Sequence, residues 1–208
     1  MIRELSNPVV KTLISSLRNS DTDALRFRHI VKEITKLLLY EALQNSVFLS
    51  RKIQTWRGEE LHEVLDEPSF VVVTVLRAGM PMLESVMETL PKITGGFLAM
   101  KRDEVTHKSK LYYDRLPDCQ GKTVLIVDVM LATGGSLCDA IDVVKQKGAK
   151  EILSLNIIGA PEGLENVQSS HPEVNIFISQ IDEKLNENKF IIPGLGDAGD
   201  REYNTPEN

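Results

Sequence analysis

The stretch VLIVDVMLATGGSL, from Val124 to Leu137, constrains the fold more tightly than any other part of this 208-residue chain. Val124-Leu125-Ile126-Val127 is short, continuous and rich in β-branched residues, the pattern of a strand buried on both faces of a parallel sheet. It runs into a single acidic residue, Asp128, at the strand's carboxyl end, where open α/β sheets face their ligands. Ala132-Thr133-Gly134-Gly135-Ser136 then turns the chain into Leu137, Ile141 and Val144, which have helical spacing. A turn of small residues exposes backbone N–H groups, and the helix dipole adds partial positive charge; together they suit a phosphate dianion. Asp128 stands too far upstream to touch that phosphate and is placed for neutral hydroxyls on the same ligand. The combination describes a ribose-5-phosphate site. An ordinary strand–turn–helix with a Ser cap fits the same segment, so further residues must decide. Two other phosphate motifs do not fit: no Lys follows Gly135, and no third Gly completes a dinucleotide fingerprint.

The rest of the chain alternates between strand and helix patterns. Helical spacing predicts a short helix over Pro8–Leu17 and, after Asn19-Ser20-Asp21, a long amphipathic helix to about Leu43. Its apolar positions Leu25, Ile30, Ile34, Leu37, Leu38 and Leu43 face a core or a partner subunit, and Arg26 and Arg28 read as solvated charges. Val47–Asp66, with the lone Trp56, reads as an arm. Strands are expected at Phe70–Leu76, Ile93–Met100, Ile152–Ile158, Asn175–Ile181 and Phe190–Ile192, with helices to about Leu90 and near Leu164–Ser170. Lys101–Asp118 reads as a long polar excursion. The prediction is an α/β fold, a mainly parallel sheet with helices on both faces.

Composition excludes more than it identifies. A net charge of −6 argues against nucleic acid as the main partner, and no apolar run approaches membrane-spanning length. Cys119 and Cys138 lack metal or redox spacing, and His29, His62, His107 and His171 are scattered, so direct metal ligation by the protein is not expected. A cytoplasmic location is expected.

Three further segments carry chemistry. Leu76-Arg77-Ala78-Gly79 follows a strand and offers one cation with close backbone approach, which suits a diphosphate; a plain turn with a surface Arg is the alternative. Lys101-Arg102-Asp103-Glu104, with Tyr112-Tyr113-Asp114-Arg115-Leu116-Pro117 downstream, suits either a basic lid or a solvated hairpin. The run from Ile191 through Pro193-Gly194-Leu195-Gly196-Asp197-Ala198-Gly199-Asp200-Arg201 is glycine-rich, a place for main chain to approach a flat ligand.

On these residues the chain resembles the type I phosphoribosyltransferases, and within them the uracil phosphoribosyltransferases. Asp128-Val129-Met130-Leu131-Ala132-Thr133-Gly134-Gly135-Ser136 is similar to their Asp-Pro-Met-Leu-Ala-Thr-Gly-Gly-Ser, departing only at Val129. Arg102–Glu104 with Thr106 resembles their Arg-Asp-Glu-x-Thr, although Ser109 stands where a Pro is usual and His107-Lys108 replace a more acidic pair. Residues 193–201 repeat their uracil-binding signature, after which the usual Gly before Thr205 is missing.

The resemblance implies one phosphoribosyltransferase domain over 1–208, with N-terminal helices at about 8–45, an arm at 47–67, a core at 68–181 and a base-binding hood at 182–208. It implies transfer of a phosphoribosyl group to uracil, giving UMP and diphosphate. Arg77, Arg102 and Asp128 would be catalytic, and with residues 129–136 and Asp197 would hold phosphoribosyl diphosphate. Ile191, Gly196, Asp197 and Ala198 would contact uracil. Mg2+ would arrive on the diphosphate, near Asp197. A homodimer or dimer-based oligomer is implied, and there is room for a nucleotide effector. Two rivals share the fold: an RNA-binding pyrimidine regulator, which the net charge disfavours, and a catalytically inactive nucleotide sensor, which Val129 and the altered loop keep open.

Overall fold

The computed structural model describes the chain over residues 1–102 and 109–205. In chain order the elements are β1 (Ile2–Glu4), α1 (Pro8–Arg18), α2 (Ala24–Leu43), β2 (Phe48–Thr55), β3 (Gly58–Leu65), β4 (Phe70–Leu76), α3 (Met80–Thr89), β5 (Thr94–Arg102), β6 (Ser109–Arg115), β7 (Thr123–Leu131), α4 (Gly135–Gln146), β8 (Glu151–Gly159), α5 (Pro161–Ser170), β9 (Asn175–Ile181), β10 (Lys184–Leu185), β11 (Ile191–Ile192) and α6 (Ala198–Tyr203). Local chemistry explains several boundaries. Asn7 caps α1 and Asp23 caps α2 through their side chains, and Pro8 occupies the first turn of α1, where its missing N–H costs nothing.

The main sheet has the order β1-β9-β8-β7-β4-β5-β6, parallel throughout except for β6, which runs antiparallel to β5. Alternate residues of the central strands divide the core in two. Val72, Leu125, Val127 and Leu155 pack with α1, α2 and α3 on one face. Val71, Val73, Val124, Ile126 and Ile176 pack with α4 and α5 on the other. Continuous apolar strands therefore mean what a doubly covered sheet requires.

The sequence expectation holds for the sheet, both helix layers and the exposed β2–β3 arm, whose tip residue Trp56 is 91% exposed. It differs in four places. β1 is a three-residue strand added in parallel to β9, too short to show periodicity. Part of the supposed polar excursion is the edge strand β6. The end of the glycine-rich segment is the helix α6, nucleated by the Asp197 side chain, which accepts the Asp200 amide at 2.9 Å. Asp128 lies inside β7, which runs on to Leu131, rather than at the strand's carboxyl end; on α2, Ile30, Ile34 and Leu38 face the core and Leu25 and Leu37 stay exposed, as a core-or-partner stripe allows.

β7 and β4 are neighbours at the point where the winding reverses. The connection β4–α3–β5 moves toward one edge of the sheet, and β7–α4–β8 toward the other. Pairing between β4 and β7 ends at Thr74–Val127, whereas β7 continues beside β8 as far as Leu131–Gly159. A crevice therefore opens beyond Val127, and Asp128 is the first residue past its floor.

Candidate active site

Four segments converge on that crevice. The turn between β7 and α4 is built by close backbone packing. Gly134 adopts a left-handed φ of 79° at the N-cap of α4. A Cβ on Gly134 would lie 2.7 Å from the Gly163 carbonyl, and one on Gly163 would lie 2.1 Å from the Ala132 carbonyl. Only glycine lets α5 support the turn this closely. Asn166 on α5 completes the support by donating to the Thr133 carbonyl at 2.8 Å.

Asp128 is held by its main chain and tuned by its surroundings. Asn156 on β8, itself buried and accepting from Ser154 at 2.7 Å, donates to the Asp128 carbonyl at 3.2 Å. Burial pushes the Asp128 carboxyl up to about 7, against the opposing pull of the Val129 and Met130 amides. Val129 is fully buried, as its apolar character predicts.

The turn after β4 brings Arg77 to the same crevice, across a cis Leu76–Arg77 peptide. Gly79 lies against Thr74, where a Cβ would meet Oγ1 at 2.0 Å, and Thr74 donates to the Val127 carbonyl at 3.2 Å. The turn is thereby keyed to β7. Arg77 is exposed and donates to Asp200 at 3.0 Å and to Thr205 at 3.4 Å, with its guanidinium 5.9 Å from the Tyr203 ring centre. These partners are all on or next to α6, which therefore acts as a hood over the turn.

The glycine-rich segment after β10 closes the other side. Residues Lys189–Gly196 line a cavity of about 320 Å³ together with Met130 and Ala132 from the end of β7 and the turn after it. Ile191 and Ala198 are buried, Gly196 is exposed at φ 79°, and Asp197 is partly buried. Several main-chain groups of this loop are already committed. The Gly194 amide donates to Asp182, and the carbonyls of Gly194 and Leu195 accept from Arg18 and Arg201.

Met130 and Ala132 meet Ile191 and Gly196 around this cavity and Arg77 reaches Asp200 of α6, whereas Val129, Leu131 and Ala198 are packed in the core. The Arg102 side chain and residues 103–108 lie outside the described residues, and with them the lid expectation. Sequence reasoning did not single out Asn156, Asn166, Arg18, Asp182 or Glu202. Among the described residues no group of three His, Cys, Asp or Glu side chains forms a metal cage.

The model of the family described as uracil phosphoribosyltransferase matches residues 4–205. This chain belongs to the uracil phosphoribosyltransferase family. A family relative from Aquifex aeolicus is 42% identical over 203 residues, covering 98% of each chain. A solved structure of an Aquifex aeolicus protein superimposes with a TM-score of 0.94 at 42% identity, again covering 98% of each chain. A purine phosphoribosyltransferase from Pyrococcus horikoshii, at 22% identity and TM-score 0.50 over 76% of this chain and 89% of its own, shares the fold alone.

Proposed function

We propose that the protein transfers the phosphoribosyl group of 5-phospho-α-D-ribose 1-diphosphate to N1 of uracil, giving UMP and diphosphate. The observation that carries this reading is the shared cavity. Its walls come from the phosphate motif, through Met130 and Ala132, and from the base loop Lys189–Gly196. A base and a sugar phosphate bound there would be held side by side. As the N1–C1′ bond forms, the bond from C1′ to diphosphate breaks and uracil loses its N1 proton.

The anomeric carbon gains positive character in the transition state and the leaving group carries negative charge. In this reading Asp128 accepts from the ribose hydroxyls, the amides of Thr133–Ser136 hold the 5′-phosphate, and Arg77 meets the diphosphate. Arg102 is assigned to the leaving group. Catalysis is then positioning and electrostatic stabilisation rather than covalent chemistry.

The donor set fits a Mg2+ ion carried by the diphosphate. Such an ion takes one or two carboxylates besides phosphate and water, and Asp197 and Asp200 are half-buried carboxylates at the hood. The ion would neutralise charge on the leaving diphosphate.

Uracil is expected to be preferred over cytosine by about a hundredfold or more in kcat/KM, since two donor–acceptor mismatches each cost about 1–3 kcal/mol. Steady-state turnover with both bases, phosphoribosyl diphosphate and Mg2+ tests this. Equal kcat/KM for the two bases would remove the loop from base reading, and no turnover of either would remove the activity.

The partner we assign is a second copy of this chain. Leu37 and Tyr40 on α2 and Phe48, Ile53, Trp56 and Leu61 on the arm expose apolar surface that a lone subunit leaves in water. Light scattering at micromolar concentration is expected to give at least twice the chain's mass; a monomer throughout would refute the assignment. Among the described residues no helix is long and apolar enough to cross a membrane, and neither Cys119 nor Cys138 is in a disulfide. Recycling of a free base in the cytoplasm suits both.

A further inference from the structure

The turn Pro193-Gly194-Leu195 has its main chain fixed from behind by residues that do not line the cavity. Gly194 adopts a φ of 65°, and a Cβ there would lie 2.2 Å from the Ile191 carbonyl, so the turn is drawn tightly onto its own strand. Its amide donates to Asp182 Oδ2 at 2.9 Å, and its carbonyl accepts from Arg18 Nη1 at 2.6 Å. Arg18 and Asp182 also pair with each other through both nitrogens and both oxygens, one bond at 3.0 Å. Asp182 is almost wholly buried, with 2% of its side chain exposed. Its own amide is anchored to the Gly159 carbonyl at 2.8 Å, at the end of β8.

These bonds connect three distant elements. Arg18 ends α1, Asp182 follows β9, and Gly194 follows β11. Bidentate pairing fixes the guanidinium plane, and the same nitrogen that reaches Asp182 also holds the Gly194 carbonyl. Arg201 adds a second tie by donating to the carbonyls of Leu17, Asn19 and Leu195. The carbonyls at the end of α1 and those of the turn are thus gathered on two guanidinium groups.

We propose that Arg18 and Asp182 are positioning residues of the base pocket, setting the height and tilt of the Gly194–Gly196 turn against Met130 and Ala132, and so the affinity for a planar pyrimidine base. The proposal rests on the reading of this cavity as the uracil site. Neither side chain lines the cavity, so the pair acts through the turn. The phosphate turn hangs on α5 instead, through Gly163 and Asn166, and should not respond.

The test uses Arg18→Ala, Arg18→Lys, Asp182→Asn and the Arg18→Ala/Asp182→Asn double variant in the full chain. Arg18→Ala and Asp182→Asn are expected to raise KM for uracil about tenfold or more, the loss of charge-assisted bonds. KM for phosphoribosyl diphosphate should stay within about twofold and kcat within about threefold. The double variant should be no worse than the worse single variant, because the pair acts as one unit. Arg18→Lys keeps the charge and one donor and should recover part of the affinity, which also covers the case where the Ala variant fails to fold.

Unchanged KM for uracil in folded variants would overturn the proposal. So would equal losses in both KM values and kcat that simply follow the melting temperature. Amide hydrogen exchange at Gly194 provides a readout that needs no turnover: protection should be lost in a further variant, Asp182→Ala, which removes the acceptor, and retained protection there argues against the brace. A wild-type protein inactive on uracil would sink the functional reading alone, and the exchange result would still decide the brace.

Discussion

Asp128→Asn is expected to lower kcat/KM for phosphoribosyl diphosphate by about a hundredfold while making the fold more stable at neutral pH. The carboxyl lies at the first position beyond the β4–β7 pairing, beside the phosphate turn. In the proposed reading the carboxylate accepts from two ribose hydroxyls; an amide offers only one, uncharged, acceptor and loses the charge assistance. Charge-assisted bonds contribute roughly 1.5–3 kcal/mol each, and each 1.36 kcal/mol is about a decade in rate.

Burial raises the folded-state carboxyl from 3.8 to about 7, so the folded protein holds this proton more tightly than the unfolded chain does. Stability from this group is complete below pH 3.8 and is lost as pH rises to about 7. Asparagine carries no such loss, so the variant's melting temperature should exceed wild type at pH 8 and approach it near pH 4. Wild-type kcat/KM for phosphoribosyl diphosphate should fall below pH 7 as Asp128 protonates, and the Asn variant should lack that limb. Wild-type kinetics in Asp128→Asn would remove this residue from the site.

What could be read from the sequence was what the chain writes locally. The turn, the apolar run before it and the first residues of the helix after it lie within Val124–Leu137, so their pattern is readable from spacing alone. The two-layer sheet was legible because buried parallel strands are continuously apolar. β1 was not, since three residues carry no period, and it is a strand only because β9 presents an edge to it. α6 was hidden by Gly199 and Asp200, both of weak helix propensity; its capping by Asp197 and its packing on α2 override that weakness.

The supports of the site were illegible for a different reason. Arg18 and Asp182 are separated by 164 positions, and no local pattern marks a pair at that distance. Yet Asp182 carried a usable signal. Like Asp128, it is an acidic residue that ends a buried apolar run, Asp128 within β7 and Asp182 just beyond β9. Asn166 and Asn156 carried none, because single amides on a helix or in a strand are common and only their partners give them meaning.

Glu202 gives the last expectation, and it inverts the usual rule that a charge-removing change in a core is harmful. Its side chain is fully buried on α6, and among the described residues neither carboxylate oxygen has a hydrogen-bond partner. Arg28 donates to the carbonyl of Glu202 rather than to its carboxyl. Burial is the main cause that pushes the Glu202 carboxyl from 4.5 to about 9; the charges of Asp128 and Asp197 add to it, and those of Arg28 and Arg77 oppose it. The folded protein therefore keeps a proton that the unfolded chain has already released at neutral pH. Stability is full below pH 4.5 and declines as pH rises to about 9. At one pKa unit per 1.36 kcal/mol the ceiling is about 6 kcal/mol. Local relaxation and water entry lower such penalties, so about 2 kcal/mol is the expected size. Glu202→Gln matches the protonated acid in shape and cannot ionise. Its melting temperature should equal that of wild type near pH 4 and exceed it by about 4–8 °C at pH 9, using about 2–4 °C per kcal/mol for a chain of this size. Thermal denaturation across that pH range measures the difference directly. A difference that does not vary with pH would mean that Glu202 ionises like an ordinary carboxyl, and that the hood tolerates a charge beneath it.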